Sequence, residues 1–157
     1  MNKVVFKRKS FIFDFIFSNL DSMKSKKKIE ELIRYASETR KFSQAKYSGF
    51  SVGAALLTRD GEIITGCNIE SSSLGLTICA ERVALTKALS EGKSRFTHIA
   101  VVGPTDDYCP PCGACRQLLY DYAPDIKIIL SKKNDTKIIP LKELLPFAFE
   151  ETKLRKS

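Results

Sequence analysis

Phe50-Ser51-Val52-Gly53-Ala54-Ala55-Leu56-Leu57-Thr58, then Arg59-Asp60-Gly61, then Glu62-Ile63-Ile64-Thr65-Gly66, is the stretch that decides the fold. A short, mostly apolar run that ends at a turn signal predicts a buried strand. Asp-Gly tolerates the left-handed backbone of a tight hairpin, so residues 62–66 read as the return strand. Upstream, Tyr47-Ser48-Gly49 reads as a loop, and Ile29, Leu32, Ile33 and Ala36 recur at helical spacing with Glu30, Glu31 and Arg34 turned outward. Downstream, residues 68–77 are rich in Ser and Gly and predict a loop. Residues 79–90 predict a helix with Gly92 beyond its end. Residues 97–103 predict a third strand, 112–122 a helix, 126–130 a fourth strand, 136–139 a fifth, and 141–145 a short final helix. The order α-β-β-α-β-α-β-β-α predicts an α/β domain whose sheet carries helices on its faces.

The chemistry is concentrated at two places where a loop enters a helix. The first is Cys79-Ala80-Glu81-Arg82 and the second Pro111-Cys112-Gly113-Ala114-Cys115-Arg116-Gln117. Two cysteines separated by two residues can reach one tetrahedral metal, and Cys79 supplies a third thiolate. Three protein ligands leave the metal a position for water, which marks a catalytic zinc. Helix N-termini stabilise the thiolate form. Three thiolates on Zn²⁺ leave a net negative charge that opposes ionisation of a bound water, so nearby positive charge is needed. Arg82 is the candidate to donate to a thiolate and offset that charge, and Arg116 is a second. Glu81, two residues after Cys79, can stand beside the metal without binding it and carry protons. His98 lies in the apolar run 96–102 and reads as a strand histidine; Cys67 reads as a small packed residue at a strand end. Cys109, in Cys109-Pro110-Pro111-Cys112, has an open role as ligand or redox partner.

The 157 residues suffice for one domain with a sizeable core. No apolar run approaches the ~20 residues of a membrane span, so a soluble protein is expected. Five cysteines, an odd number, argue against a closed disulfide framework and fit a reducing, cytoplasmic compartment. The net charge of +8 resides mostly in residues 1–28, which hold eight Lys or Arg against Asp14 and Asp21. The remainder is near neutral, so no strong phosphate-binding surface is implied. In that first segment an apolar run, residues 11–17, is interrupted by Asp14 and followed by no cleavage site, which speaks against a signal peptide; its acids speak against a transit peptide. Residues 1–28 are expected to be a flexible basic extension, optional before Met23, and residues 29–157 the catalytic domain.

These runs resemble the zinc-dependent cytidine deaminases of the small, homotetrameric type. The resemblance rests on Phe50–Leu57, Gly66-Cys67-Asn68-Ile69-Glu70, the two cysteine motifs, and Glu143-Leu144-Leu145-Pro146, in family order over roughly residues 29–150. It implies a three-layer α-β-α sandwich around a mixed five-stranded sheet and one Zn²⁺ per subunit on Cys79, Cys112 and Cys115. It implies hydrolysis of cytidine and 2′-deoxycytidine to the uracil nucleosides and ammonia, as in pyrimidine salvage. A zinc-activated water would attack C4 while Glu81 shuttles protons. Asn68 and Glu70 would bond the ribose hydroxyls, Phe50 pack on the pyrimidine, the Ala80 N–H meet the base carbonyl, and Phe149 reach a neighbouring subunit's site. The chain departs from the family at Lys46, where Pro is common, and at Leu74, where an aromatic is common.

Other readings compete. A deaminase of another cytosine compound, such as blasticidin S, uses the same centre, although Asn68 and Glu70 favour a free nucleoside. A deaminase of single-stranded nucleic acid would bind in a salt-sensitive way, which the near-neutral domain disfavours. A non-catalytic zinc domain would lack Glu81 or fill the fourth ligand position. A dithiol redox protein would leave Glu81 and Cys79 idle.

Overall fold

The computed structural model describes residues 8–133, 135–150 and 154. Helix α1 spans Arg8–Thr39 and is followed by a 3-10 turn at Arg40–Phe42. The hairpin strands are β1 (Gly53–Thr58) and β2 (Ile63–Cys67); then come α2 (Ala80–Ser90), β3 (Phe96–Val102), α3 (Gly113–Tyr122), β4 (Lys127–Lys132), β5 (Asp135–Pro140) and α4 (Leu141–Leu144). The helix start at Arg8 differs from the expected start near Ile29. The chain holds no Gly or Pro before Gly49, so nothing in the sequence interrupts the helix. Two compact units divide at Glu31 and Leu32. In the first, Lys28 Nζ pairs with Glu31 Oε2 at 2.9 Å. The expectation of a flexible extension falls, for residues 1–7, outside the described residues.

In the second unit five strands form one sheet in the order β2-β1-β3-β4-β5. Only β3 and β4 run parallel, joined through α3; the other neighbours are antiparallel. Register sorts the side chains onto two faces. Ala54 lies opposite Gly66 and Val101, and Leu56 opposite Ile64 and Ile99. These, with Ile128 and Leu130, make one buried face together with Ala80, Ala84, Leu85 and Ala88 of α2 and Leu119 of α3. The alternate residues Gly53, Ala55, Ala100 and Ile129 lie on the opposite face, where Leu32 and Ala36 of α1 are fully buried. The result is the three-layer α-β-α sandwich that was expected.

Two glycines set how near the helices come. A Cβ on Gly53 would lie 1.9 Å from the Ala36 carbonyl oxygen. A Cβ on Gly66 would lie 2.5 Å from both the Ala80 oxygen and the Ala84 nitrogen. Alanines at 80, 84 and 88 give α2 a shallow face, and Gly66 lets its backbone rest on β2. The start of α2, where Cys79 sits, is thereby fixed against the sheet. Gly66→Ala is expected to push α2 outward, costing about 1–3 kcal/mol as other overpacked cores do, and to lower zinc retention; thermal melting with metal analysis of the same sample checks both.

Candidate active site

Cys79 is the N-cap of α2 and Cys112 the N-cap of α3, both with extended backbone. Cys115 lies in the first turn of α3, at the position whose side chain reaches back to the N-cap. That relation brings the two sulfurs of the Cys-x-x-Cys pair together. Packing of α2 and α3 on one sheet face then adds the third, and the Cys79, Cys112 and Cys115 sulfurs lie within 4.8 Å of one another. Cys79 Sγ and Cys112 Sγ are 4.0 Å apart. Neither N-cap side chain makes a capping hydrogen bond to its helix backbone, so both sulfurs are free to face the cluster.

The protonation pattern shows what the cluster lacks. A hydrogen bond from Cys115, with help from Arg82, holds the Cys79 thiol down at about 5 despite partial burial. The same bond, and then burial, pushes Cys115 far up. Without a cation one sulfur takes the charge at another's expense. A dication within reach of all three would let all three ionise, and sulfur donors suit Zn²⁺. The residues therefore fit a zinc ion with three protein ligands.

Arg82 Nη2 donates to the Thr77 carbonyl at 2.7 Å and lies 3.7 Å from Cys79 Sγ. That thiolate in turn raises the guanidinium pKa. Arg116 has a different part from the thiolate contact envisaged for it. Its Nε donates to the Pro111 oxygen at 2.7 Å and its Nη1 to the Leu144 oxygen at 2.8 Å. It ties the loop before Cys112 to α4. Glu81 is 4% exposed, and burial raises its carboxyl pKa, with the Cys79 thiolate adding to the rise. Its carboxyl contacts Cys115 but is not part of the three-sulfur cluster.

Cys109 and His98 also stand outside that cluster. His98 pairs with Leu57 and Lys127 inside the sheet, and Cys67 ends β2. Cys109 packs on Gly103, and burial pushes its thiol up to about 11, with Glu81 and Cys79 contributing. All five cysteines are free thiols.

Of the residues that the resemblance assigns to the substrate, Phe50 is half exposed, while Asn68 is buried. Asn68 Oδ1 accepts from Ser43 Oγ at 2.5 Å and from the Val52 N–H at 2.8 Å; its Nδ2 donates to the Phe50 oxygen at 2.9 Å. Glu70 Oε2 accepts the Tyr47 and Ser48 N–H groups at 2.7 and 3.1 Å, and Oε1 accepts the Ser48 hydroxyl. Those bonds, the hydroxyl's first, hold the Glu70 carboxyl below its ordinary range. The Ala80 N–H is in the first turn of α2, where helical partners are lacking. Phe149 is half exposed, and its backbone N–H and oxygen both bond the Gln117 side chain, at 3.3 and 2.9 Å. Sequence reasoning missed Ser43, Ser48, Thr77 and Gln117. Ser48 alone carried a local signal, a hydroxyl two residues before the Phe50 N–H it accepts.

A three-thiolate pocket that leaves a position open, with a buried carboxyl beside it, is the donor set of a catalytic rather than a structural zinc centre. Comparison with known proteins agrees. Residues 26–131 match the family model for the cytidine and deoxycytidylate deaminase zinc-binding region. A cytidine deaminase of Halalkalibacterium halodurans is 50% identical over 120 residues, covering 75% of this chain and 91% of that protein. The crystal structure of the cytidine deaminase from Burkholderia pseudomallei superposes with a TM-score of 0.74 at 44% identity, covering 76% of this chain and 98% of that one. A blasticidin-S deaminase of Bacillus cereus is 35% identical over 76% of this chain and 90% of its own length. This chain belongs to the cytidine and deoxycytidylate deaminase family.

Arg82→Gln is expected to weaken zinc binding by about 10- to 100-fold, the usual effect of removing a partner that orients a metal ligand. Competition with a chromophoric chelator measures it, and unchanged affinity would remove Arg82 from the metal's support.

Proposed function

We infer that this chain catalyses the zinc-dependent hydrolysis of cytidine and 2′-deoxycytidine to uridine and 2′-deoxyuridine with release of ammonia. The observation that carries the reading is the three-sulfur cluster with the buried Glu81 carboxyl at its side. Relatives named cytidine deaminase support the substrate. Zinc, when bound, supplies a water that ionises near neutral pH. Glu81 accepts the proton of that water as oxygen adds to C4, and passes it to ring N3. It then takes the proton of the hydroxyl now on C4 and delivers it to the amine, so that the C4–N bond breaks as the C4 carbonyl forms; water enters and ammonia leaves. Burial, by raising the Glu81 pKa, suits it to hold a proton between these transfers. Arg82, donating to Cys79, draws charge from the sulfurs and keeps the ligand set closer to neutral. The free Ala80 N–H offers a donor for the base carbonyl, and Phe50 a face for the ring. Glu70 and Asn68 take the sugar hydroxyls.

A homotetramer is part of this reading. Ile69, Leu74, Leu76 and Ile78, on the loop before α2, and Phe147 and Phe149 are exposed apolar groups that a neighbouring copy would cover. Phe149 would then reach that neighbour's pocket. The catalytic domain is taken as residues 29–157, with residues 1–28 an extension. Free thiols suit the cytoplasm, and the products suit pyrimidine salvage. Among the described residues no helix is long and apolar enough to cross a membrane.

Loss of cytidine's ultraviolet absorbance, with stoichiometric ammonia, tests the activity; it should vanish on chelation and return with zinc. Cytidine monophosphate, blasticidin S and a short cytosine-containing single strand serve as rival substrates. Glu81→Gln is expected to keep its zinc and lose about a hundredfold to ten-thousandfold in kcat, the usual worth of a general acid–base group. Near-normal turnover would exclude Glu81 as the proton carrier. Sedimentation should give the mass of four chains, and Phe149→Ala should raise KM at unchanged mass.

A further inference from the structure

The side chain with the most specific unassigned geometry near the site is Ser48, on the exposed turn between the 3-10 turn and β1. We propose that Ser48 is a positioning residue, its hydroxyl aiming the Glu70 carboxylate at a sugar hydroxyl of the substrate; this rests on the reading of Glu70 as a sugar contact. The Ser48 oxygen accepts the Phe50 N–H at 2.9 Å, so one of its lone pairs is committed and the hydroxyl's rotation is fixed. Its single proton then goes to Glu70 Oε1. Oε2 of the same carboxylate is held by the Tyr47 and Ser48 N–H groups at 2.7 and 3.1 Å. Three donors from one turn therefore grip one carboxylate.

A carboxylate offers about four acceptor sites. Three are filled from within the chain, and the fourth lies on Oε1, on the atom that Ser48 anchors. Asn68 is used to the same extent. Its oxygen takes two donors and its nitrogen gives one hydrogen to the Phe50 oxygen, which leaves one N–H. The pair thus retains one acceptor and one donor. A hydroxyl, which donates and accepts at once, complements both. The Phe50 backbone gives its N–H to Ser48 and its oxygen to Asn68, so the sugar contacts and the ring's apolar face share one short length of chain.

The test compares kcat/KM for cytidine and for 2′,3′-dideoxycytidine, using zinc-loaded full-length chain carrying Ser48→Ala, Ser48→Thr or Glu70→Gln. Ser48→Ala should lower kcat/KM for cytidine by about tenfold, the scale of one bond to a charged group. The loss should fall in KM, with kcat within about twofold, and the dideoxy substrate should lose less than about twofold. Ser48→Thr, which keeps the hydroxyl, should restore most of the cytidine rate. The ratio between substrates on one preparation is independent of the fraction folded, so a destabilised variant still reports. Equal losses on both substrates with Ser48→Ala, or no recovery with Thr, would overturn the role of Ser48. Equal losses with Glu70→Gln would instead remove the sugar contact itself, and the inference with it.

Discussion

Three sulfurs held within 4.8 Å of one another cannot all carry charge unless a cation shares it, and much of this fold serves to hold them there regardless. Each sulfur is placed by a helix start, where N–H groups and the positive end of the dipole lower the cost of a thiolate. Two such starts must converge, so α2 and α3 share one face of the sheet. Convergence in turn requires α2 to sit close on β2, which Gly66 permits and any side chain there would prevent. The metal site is thus a consequence of sheet register as much as of cysteine spacing. Moving β2 by one residue against β1 would turn Gly66 to the other face and leave Cys67 beneath α2.

Loops bring the ligands to those helix starts, and arginines fasten the loops. Arg82 grips the Thr77 carbonyl two residues before Cys79. Arg116 grips the Pro111 carbonyl directly before Cys112 and the Leu144 carbonyl beyond. Arg40 donates to the carbonyl of Gly103, where β3 gives way to the loop that leads to the second motif. A guanidinium has five donors in a rigid fork, so one side chain can fix two segments without an acidic partner. The consequence is electrostatic as well as mechanical. The Arg82 guanidinium stands at the Cys79 sulfur, and the Glu81 carboxyl is buried beside the cluster.

The strands, the helices and the three-cysteine cluster were legible because they follow from local rules: hairpin turn chemistry, helical spacing and paired cysteines. Asp60-Gly61 set the hairpin, and β1, β2 and α2 lie within a few residues of expectation. The start of α1 was not legible from its apolar face, since charge and aromatic content change near Ile29 while helix-breaking residues are absent on both sides. Arg116 was misread because its partners are carbonyls 5 and 28 residues away, which no spacing rule points to. Ser43 and Asn68 meet across 25 residues for the same reason. What sequence reveals poorly is a polar side chain whose partner is brought in by tertiary folding.

A single chain also presents more apolar surface near its pocket than its own fold uses. Leu74 and Leu76 are 76% and 69% exposed on a short 3-10 turn just before the ligand helix. At the other end, Phe147 is fully exposed with φ +59°, a conformation that costs a bulky residue free energy. Gln117, from the metal-bearing helix α3, holds the Phe149 backbone through both its N–H and its oxygen. An aromatic tail fixed this firmly while its rings face water has gained order without burial. In the homotetramer proposed above a neighbouring copy would supply that burial, and because Cys112 caps α3 and Cys115 lies in its first turn, the same contact would couple the tail's position to the metal site.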